Sequence, residues 1–288
     1  MRRWVLEKYG WAHEAGFRKA MAGKKLILDA GAGLGRETIN LARAARKSIV
    51  IGIEFSDCAA YALKNVSSIK NAYIIQGDIL RMPFRDESFD LVFSEGVLHH
   101  TPDTDEAFAR CCKVLKQDGE IAFYVYRKKG PIREFADDYL RAMMERASTS
   151  EKWEIVRKLT KLGKALSDSR AKVSIPEDIP ELGVQKGRVH VQRFVYWNFL
   201  KCFWNEELTF DENVMVNFDW YAPKHSHRHT EAEIRDWCRR NGVEVVWWFQ
   251  EPSGYSVRGL KRARGFGTSA ASGSGGAGKH LLQIRRIV

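Results

Sequence analysis

The sequence lacks the features that would place the chain in a membrane or an oxidising compartment. It has no run of about 18 apolar residues, the length that a transmembrane helix needs. Its first residues, MRRWVLEKYG, are basic but contain neither an apolar stretch nor a small-residue cleavage site, so we expect no signal peptide. The five cysteines include no C-x-x-C pair, and their odd number does not fit a disulfide framework. We therefore expect a cytoplasmic protein without a membrane span.

The chain also lacks a concentrated block of charge, although its formal net charge is +11. A charge of this size favours an acidic partner, such as nucleic acid, a phosphorylated substrate or anionic lipid. The lysines and arginines are nevertheless spread along the chain, with only short clusters such as YRKKG and RGLKRARG. Solvated basic helices explain such a distribution equally well, so nucleic acid is not the favoured partner.

The first 126 residues alternate short apolar runs with segments of helical periodicity. The runs lie in KKLILDAGAG, SIVIGIEFS, AYIIQGD, FDLVFSEG and GEIAFYVY. Each is continuous rather than alternating, which is typical of parallel strands that are buried on both faces. The pattern predicts an α/β fold with a doubly wound, mostly parallel sheet.

The rhythm changes after residue 126 and divides the chain into three parts. Residues 1–126 are expected to form the first part of the core, and residues 127–222 an inserted, largely helical cap over the substrate. Residues 223–288 would complete the core with the helix TEAEIRDWCRRNG and the strand VEVVWWFQE. The tract GTSAASGSGGAGK predicts a flexible Gly/Ser-rich loop at about 252–279, before a last strand-like run, HLLQIRRIV.

The most informative motif is LDAGAGLGRE, in which a strand runs into a glycine-rich turn and then a helix. The strand ends in Asp29, and glycines follow at every second position: Gly31, Gly33 and Gly35. Such a turn lets a ligand approach the backbone where a Cβ would not fit, although a generic βα turn is an alternative. The dinucleotide fingerprint G-x-G-x-x-G requires a glycine where this chain has Arg36, which argues against a nicotinamide oxidoreductase.

Polar residues also stand at the ends of the following strands. Glu54 ends the second strand, where a carboxylate accepts hydrogen bonds from both hydroxyls of a ribose. Asp78 follows the third strand and would pair with the amino group of an adenine, whose ring Ile79 would pack against. The fourth strand leads into a loop with four further polar residues: Ser94, Glu95, His99 and His100.

Taken in order, LDAGAGLG, Glu54, the GD pair at 77–78 and FDLVFSEGVLHH resemble the class I S-adenosylmethionine-dependent methyltransferases. They are most similar to the small-molecule, "methyltransferase 11"-like type. The likeness covers residues 26–126 and, more loosely, 230–241 and 243–251. It implies a seven-stranded Rossmann-like sheet whose last strand is antiparallel and lies beside the fifth, a place that we assign to residues 280–288.

The resemblance implies S-adenosyl-L-methionine as the cofactor. We separately expect no metal. The residues implied to bind it end or follow the first four strands: Asp29, Gly31, Gly33 and Gly35 at the methionine part, Glu54 with Phe55 and Ser56 at the ribose, Asp78 and Ile79 at the adenine, and Ser94 and Glu95 from the fourth strand.

Methyl transfer from a sulfonium is an in-line displacement, which needs an acceptor about 3–3.5 Å from the methyl carbon. A base that removes a proton from a hydroxyl acceptor adds roughly 10²–10⁴-fold to the rate. His99 and His100 follow the fourth strand, near the expected methyl group, and either would serve as that base or only pack before the next helix. Asp219 and Tyr221, where the insert returns to the sheet, are catalytic candidates by topology alone.

The insert is expected to form the acceptor pocket. Its aromatic segment RFVYWNFLKCFWN would be a hydrophobic wall or ordinary core. Three basic residues of the insert would grip an anionic acceptor or face solvent: Arg188, His190 and Arg193. We expect O- or N-methylation of a small molecule, or of a glycan or lipid precursor. The basic charge favours an RNA- or tRNA-modifying enzyme as the alternative, and cofactor binding without catalysis is a further one.

Three histidines alternate in the segment APKHSHRHTEAE: His225, His227 and His229. An extended chain places them on one face about 6–7 Å apart, too far for one zinc ion. The following TEAE predicts a capping box between Thr230 and Glu233 that begins a helix. We interpret the segment as a capped helix entrance, one histidine of which would face the pocket.

Overall fold

Residues 3–262 are described by a computed structural model of the chain. The larger part of the predicted Gly/Ser-rich loop and the run at 280–288 lie outside the described residues. The helices are α1 (Arg3–Lys8), α2 (Glu14–Met21), α3 (Arg36–Ala44), α4 (Cys58–Val66), α5 (Thr104–Val114), α6 (Pro131–Glu145), α7 (Thr149–Asp168), α8 (Val191–Asn198), α9 (Phe210–Tyr221) and α10 (Glu231–Arg240). The strands are β1 (Leu26–Ala30), β2 (Ile49–Glu54), β3 (Ala72–Gln76), β4 (Phe89–Glu95), β5 (Leu115–Tyr126), β6 (Lys172–Ile175), β7 (Gly187–His190), β8 (Val243–Gln250) and β9 (Gly254–Lys261).

Seven strands form one sheet in the order β3-β2-β1-β4-β5-β9-β8. The strands run parallel except β9, which is antiparallel to both β5 and β8. One face of the sheet packs against α5 and α10 through residues such as Phe108 and Trp237. The other face packs against the N-terminal helices and α3, through residues such as Phe17 and Leu41. The predicted doubly wound, seven-stranded Rossmann-like fold is confirmed.

The identity of the seventh strand was predicted wrongly. Residues 254–261, which we placed in the Gly/Ser-rich loop, form β9, and this strand lies beside β5 in the place that we assigned to a later segment. Its two glycines, at the first position and in the interior, look like loop residues, but each lies against a close neighbour. A Cβ on Gly254 would lie 2.4 Å from the ring of Tyr124, and one on Gly259 would lie 2.3 Å from the side chain of Val243.

The predicted helical insert after the fifth strand is confirmed by α6, α7, α8 and α9. It also contains an antiparallel pair, β6 and β7, that we did not predict. Helices α7 and α9 pack together, with the rings of Trp153 and Phe218 stacked at 3.9 Å. In the aromatic segment, Tyr196, Phe203 and Trp204 are buried, so much of it is ordinary core. None of the described helices has the length and apolar character to cross a bilayer.

Candidate active site

The glycine turn after β1 holds three left-handed backbone conformations. The φ angles of Gly31, Gly33 and Gly35 are 94°, 53° and 83°. A Cβ on Gly31 would lie 2.3 Å from the side chain of Val97, so this glycine permits close packing within the protein. A Cβ on Gly33 would meet nothing within 4 Å. Gly33 therefore presents bare backbone to open space at the carboxyl edge of the sheet.

The carboxylate of Glu54 is fixed against this turn. Its Oε2 accepts a hydrogen bond from the backbone N–H of Gly33 at 2.7 Å. Its Oε1 accepts from the backbone N–H and the hydroxyl of Ser56, at 3.0 and 2.6 Å. Phe55, between them in sequence, is 75% exposed, a large apolar surface beside a polar group. The structure thus brings Gly33, Glu54, Phe55 and Ser56 together at one edge.

Three other predicted cofactor residues are engaged inside the protein. Asp29 is buried and accepts a hydrogen bond from the hydroxyl of Thr38 at 2.6 Å, and burial raises the pKa of its carboxyl to about 7. Ser94 is buried and donates its hydroxyl proton to the carbonyl of Ala30 at 2.8 Å. Ile79 is also buried. These side chains support the edge, and their direct contact with a cofactor stays a prediction.

Asp78 follows β3 and caps a short 3₁₀ helix at Ile79–Arg81. Its Oδ1 accepts a hydrogen bond from the backbone N–H of Leu80 at 2.9 Å. This bond holds the carboxyl group of the half-buried Asp78 in place beside the end of β2, since Glu54 and Gln76 are paired in the sheet register.

The N-terminal segment contacts the site through the side chain of Glu95. The sequence analysis named Glu95 but did not predict this contact. The ammonium of Lys8 donates to Oε1 of Glu95 at 3.2 Å, and the hydroxyl of Tyr9 donates to Oε2. Lys8 is buried, lies 3.9 Å from the centre of the Tyr124 ring and is 3.6 Å from a carboxylate oxygen of Glu251. No local motif joins residues 87 positions apart, so nothing in the sequence marked this contact.

The two histidines after β4 form a 3₁₀ turn with Leu98. His99 is fully buried, with its ring centre 3.8 Å from that of Tyr126, and neither ring nitrogen makes a hydrogen bond of normal geometry. Burial, with charge repulsion from neighbouring histidines, lowers its pKa well below the ordinary value, and the backbone of Tyr124 opposes this only weakly. His100 is less buried, and its Nδ1 lies 2.8 Å from the carbonyl oxygen of His225.

The alternating histidines run alongside this turn. His227 donates its backbone N–H to the carbonyl of His99 at 2.9 Å, and His229 donates its own to the carbonyl of Tyr126 at 2.8 Å. Successive ring centres of His225, His227 and His229 lie 6.0 and 6.3 Å apart, close to the predicted spacing. Among residues 3–262 no group of His, Cys, Asp or Glu has an arrangement that fits a metal ion.

His229 belongs to the interior. It is buried, lies 4.5 Å from the ring of Trp237 and has its Nε2 3.1 Å from the hydroxyl of Thr104. The capping box predicted next to it is present, since Glu233 and Thr230 each accept the other's backbone N–H. The segment is therefore a helix entrance that also lines the histidine turn.

Asp219 and Tyr221 lie on α9, near Tyr126 but differently placed. Tyr221 is buried, with its hydroxyl 3.1 Å from Oδ1 of Asp137 and 3.1 Å from the carbonyl of Lys201. Asp219 is more exposed. Burial, with a smaller contribution from the charge of Asp219, raises the pKa of Tyr126. Their catalytic roles stay predictions, and the buried position of Tyr221 leaves its hydroxyl to the protein interior.

The edge fits S-adenosylmethionine at two points. The open backbone of Gly33 is a cradle that a side chain would fill, and Gly96, after β4, likewise has left-handed backbone with nothing within 4 Å of its missing Cβ. At the end of β2, the carboxylate of Glu54 is pre-oriented by donors from the protein and retains further lone pairs for a diol.

Comparison with known proteins agrees with this geometry. Residues 28–123 match a family model described as a methyltransferase domain. Demethylmenaquinone methyltransferase of Lactobacillus johnsonii is 31% identical over 117 residues, which cover 39% of this chain and 48% of that protein. Phosphoethanolamine N-methyltransferase 2 of Caenorhabditis elegans is 37% identical over 82 residues, 27% of this chain and 19% of that protein. Sterol 24-C-methyltransferase ERG6 of Saccharomyces cerevisiae is 29% identical over 117 residues, 39% and 29% respectively.

The chain spans about half or less of the length of these curated relatives. The matched region contains the glycine turn, Glu54, Asp78 and the two histidines after β4. Residues 28–123 therefore match a methyltransferase domain, and the sheet has the seven-stranded arrangement that the resemblance to the class I, S-adenosylmethionine-dependent type implies.

Proposed function

We propose that the chain transfers the methyl group of S-adenosylmethionine to an oxygen or nitrogen atom of a small molecule or lipid precursor. The observation that carries the proposal is the open backbone of Gly33 held against the fixed carboxylate of Glu54, at the same sheet edge as His100. The relatives named for demethylmenaquinone, phosphoethanolamine and a sterol support a small-molecule or lipid acceptor, while their names differ in the acceptor atom, nitrogen in one and carbon in another. The five free thiols fit a cytoplasmic location.

When bound, S-adenosylmethionine supplies a methyl group that its sulfonium has already activated. The protein then has to hold the acceptor in line and manage one proton. Glu54 and Gly33 would fix the nucleoside end, and Asp78 the adenine. The N-terminal residues Lys8 and Tyr9 would keep Glu95 in place and cover that end of the sheet.

His100 is the group best placed to remove a proton from a hydroxyl or amine acceptor. The carbonyl of His225 can only accept a hydrogen bond, so the Nδ1 of His100 carries the hydrogen and Nε2 keeps its lone pair. Burial lowers the pKa of His100 below its ordinary value of 6.5, so the imidazole is neutral at pH 7. A neutral ring with a free Nε2 is the form that a general base requires.

Two measurements on the purified full chain test the proposal. Isothermal titration calorimetry with S-adenosylhomocysteine should show one binding site. Incubation of the protein with a small-molecule cell extract and methyl-deuterated S-adenosylmethionine should then yield a labelled product by mass spectrometry. Absence of binding would overturn the proposal, and binding without any labelled product would leave a cofactor-binding protein instead of an enzyme.

A further inference from the structure

A cavity of about 550 Å³ lies between the end of β5 and the insert. Its walls come from residues 127–131, from the loop and strand at 183–189, from α8, and from Pro252 in the β8–β9 turn. We call it the insert pocket. Six of its lining residues are basic: Arg127, Lys128, Lys129, Lys186, Arg188 and Arg193. None of its lining residues is acidic.

In the described part of the chain these six basic side chains lack ion-pair partners, although burial lowers the pKa of Lys129 well below its ordinary value. Within residues 3–262, none of the six makes an ion pair with a carboxylate within 4.0 Å. Asp178 accepts a hydrogen bond from the backbone N–H of Lys186, and Glu134 accepts one from that of Lys129, but neither carboxylate lines the pocket. By contrast, Arg228, just outside it, pairs with both Glu134 and Asp138. Six basic residues without an ion pair to a carboxylate, in the part of the chain that the structure describes, therefore line one pocket.

Arg193 adds a group that lacks a partner inside the protein. Its Nη1 is buried without a hydrogen bond, while its guanidinium lies 5.7 Å from the ring centre of Tyr196 and 5.9 Å from that of Phe203. A buried donor without a partner is costly, and no hydrogen bond within the described residues offsets the charge of this guanidinium. Lys129 is different, because its ammonium already donates to the carbonyls of Arg127 and Ser253.

The size and lining of the pocket indicate a small ligand with more than one negative charge. Its volume is in the range of ordinary small-molecule sites, which is roughly 300–1,000 Å³. Several arginines suit phosphate oxygens better than a single carboxylate, because each guanidinium offers paired donors. Phe194 and Trp197 also line the pocket and offer apolar faces to the rest of such a molecule.

We propose that the insert pocket binds the phosphate or diphosphate group of the methyl acceptor. The identification of the ligand as the methyl acceptor rests on the proposed function. Binding of an anion in the insert pocket can be tested independently. The same chemistry serves a free phosphorylated metabolite and a phospholipid headgroup, so the test must separate these two sources.

Calorimetric titration of the full chain with inorganic pyrophosphate is the first measurement. We expect the native chain to bind one pyrophosphate, more weakly as salt rises. The R188Q and R193Q variants should each bind at least tenfold more weakly. Arg188 is exposed, so R188Q carries little risk to folding. The matched control is R46Q, an exposed arginine just before β2 at the opposite edge of the sheet, which should bind like the native chain.

S-adenosylhomocysteine binding, measured on the same samples, separates the two proposals. Pyrophosphate binding without S-adenosylhomocysteine binding would support the pocket and contradict the proposed function. The reverse result would overturn the pocket and leave the function. Equal weakening of pyrophosphate binding in R46Q and R188Q would also overturn the pocket proposal. The weaker binding would then result from the lower net charge of the chain and not from loss of a contact in the pocket.

Two further arms identify the source of the phosphate. Competition of pyrophosphate with soluble glycerol 3-phosphate supports a free metabolite, and competition with phosphatidic acid in phosphatidylcholine vesicles supports a lipid headgroup. Bulk tRNA that binds the native chain tightly at physiological salt, competes with pyrophosphate and binds R188Q much more weakly would overturn the proposal in favour of nucleic acid.

Discussion

The Nδ1 atom of His100 lies 2.8 Å from the carbonyl oxygen of His225, joining the turn after β4 to the segment that leads into α10. The contact fixes the tautomer of His100, and the group that does so is a backbone carbonyl 125 residues away in sequence. Any acceptor pocket built on this turn is thus shaped by both halves of the core.

Substitution of His100 tests its role as the base. We expect H100Q to lower kcat by about 10²–10⁴-fold while S-adenosylhomocysteine binding is retained. Because only the carbonyl of His225 makes the contact, H225Q is the control and should keep near-native turnover. Equal turnover in H100Q and the native enzyme would remove His100 from the chemistry.

The pH profile follows from the same residue. Burial lowers the pKa of His100, and a base is active when it is unprotonated. Turnover should therefore be constant around neutral pH and fall only as the pH drops through a value below 6.5. This acidic limb should disappear in H100Q. A limb at or above pH 7 would contradict the assignment.

Gly33 and Gly23 form a matched pair for testing cofactor binding. Both have left-handed backbone, with φ of 53° and 84°, and a Cβ would meet nothing within 4 Å at either. Alanine therefore introduces similar backbone strain at both positions, about 1–2 kcal/mol. Gly23 lies before β1, at the opposite edge of the sheet. We expect G33A to weaken S-adenosylhomocysteine binding by about tenfold or more, equivalent to about 1.4 kcal/mol, and G23A to leave it unchanged.

Equal loss in both glycine variants, measured by calorimetry with melting temperature recorded alongside, would mean that strain rather than contact is responsible. In that case the open backbone at Gly33 would not be part of the cofactor site.

The first five strands could be predicted from sequence because each is a continuous apolar run in the order of the parallel core. The ligand-facing edge of the sheet could also be predicted, because glycines and carboxylates stand at the ends of these strands in the sequence. Strand β9 was not predicted, because Gly254 and Gly259 resemble loop residues. The contacts that require glycine there are with Tyr124 and Val243, which are distant in sequence from their partners or lie on another strand. The roles of Lys8 and Tyr9 were not predicted either, because their partner Glu95 is remote in sequence.

The buried position of Tyr221 leads to a prediction about stability. Its hydroxyl joins Asp137, which also pairs with Arg133 and accepts from Trp220 inside the insert. We expect Y221F to lower the free energy of unfolding by about 1 kcal/mol, measured by chemical denaturation, with little effect on kcat. A large fall in kcat without loss of stability would restore Tyr221 as a catalytic residue.

Lys201 should make stability depend on pH in the alkaline range. It is buried 4.3 Å from the ring centre of Trp220, and burial lowers its pKa from 10.5 to about 7. Between these values the side chain of Lys201 is protonated in the unfolded chain and deprotonated in the fold, so its contribution to stability rises with pH from about 7 to about 10.5. K201M should abolish this rise and be more stable than the native chain at pH 7.

The measurement is the difference in free energy of unfolding between native chain and variant at pH 7 and pH 10. Lys161, an exposed lysine of α7, provides the control, and K161M should leave the difference constant. A K201M chain that retains the native slope would mean that Lys201 keeps its proton in the fold.

The place of β9 has a consequence for biosynthesis. Strand β5 is complete at residue 126, but its outer neighbour is made of residues 254–261, after the whole insert. During translation, β5 must remain an unpaired edge while the ribosome adds more than a hundred further residues. Such a late, long-range pairing is slow and leaves an edge open to wrong partners. The helical insert, whose contacts are largely internal, can fold during that interval.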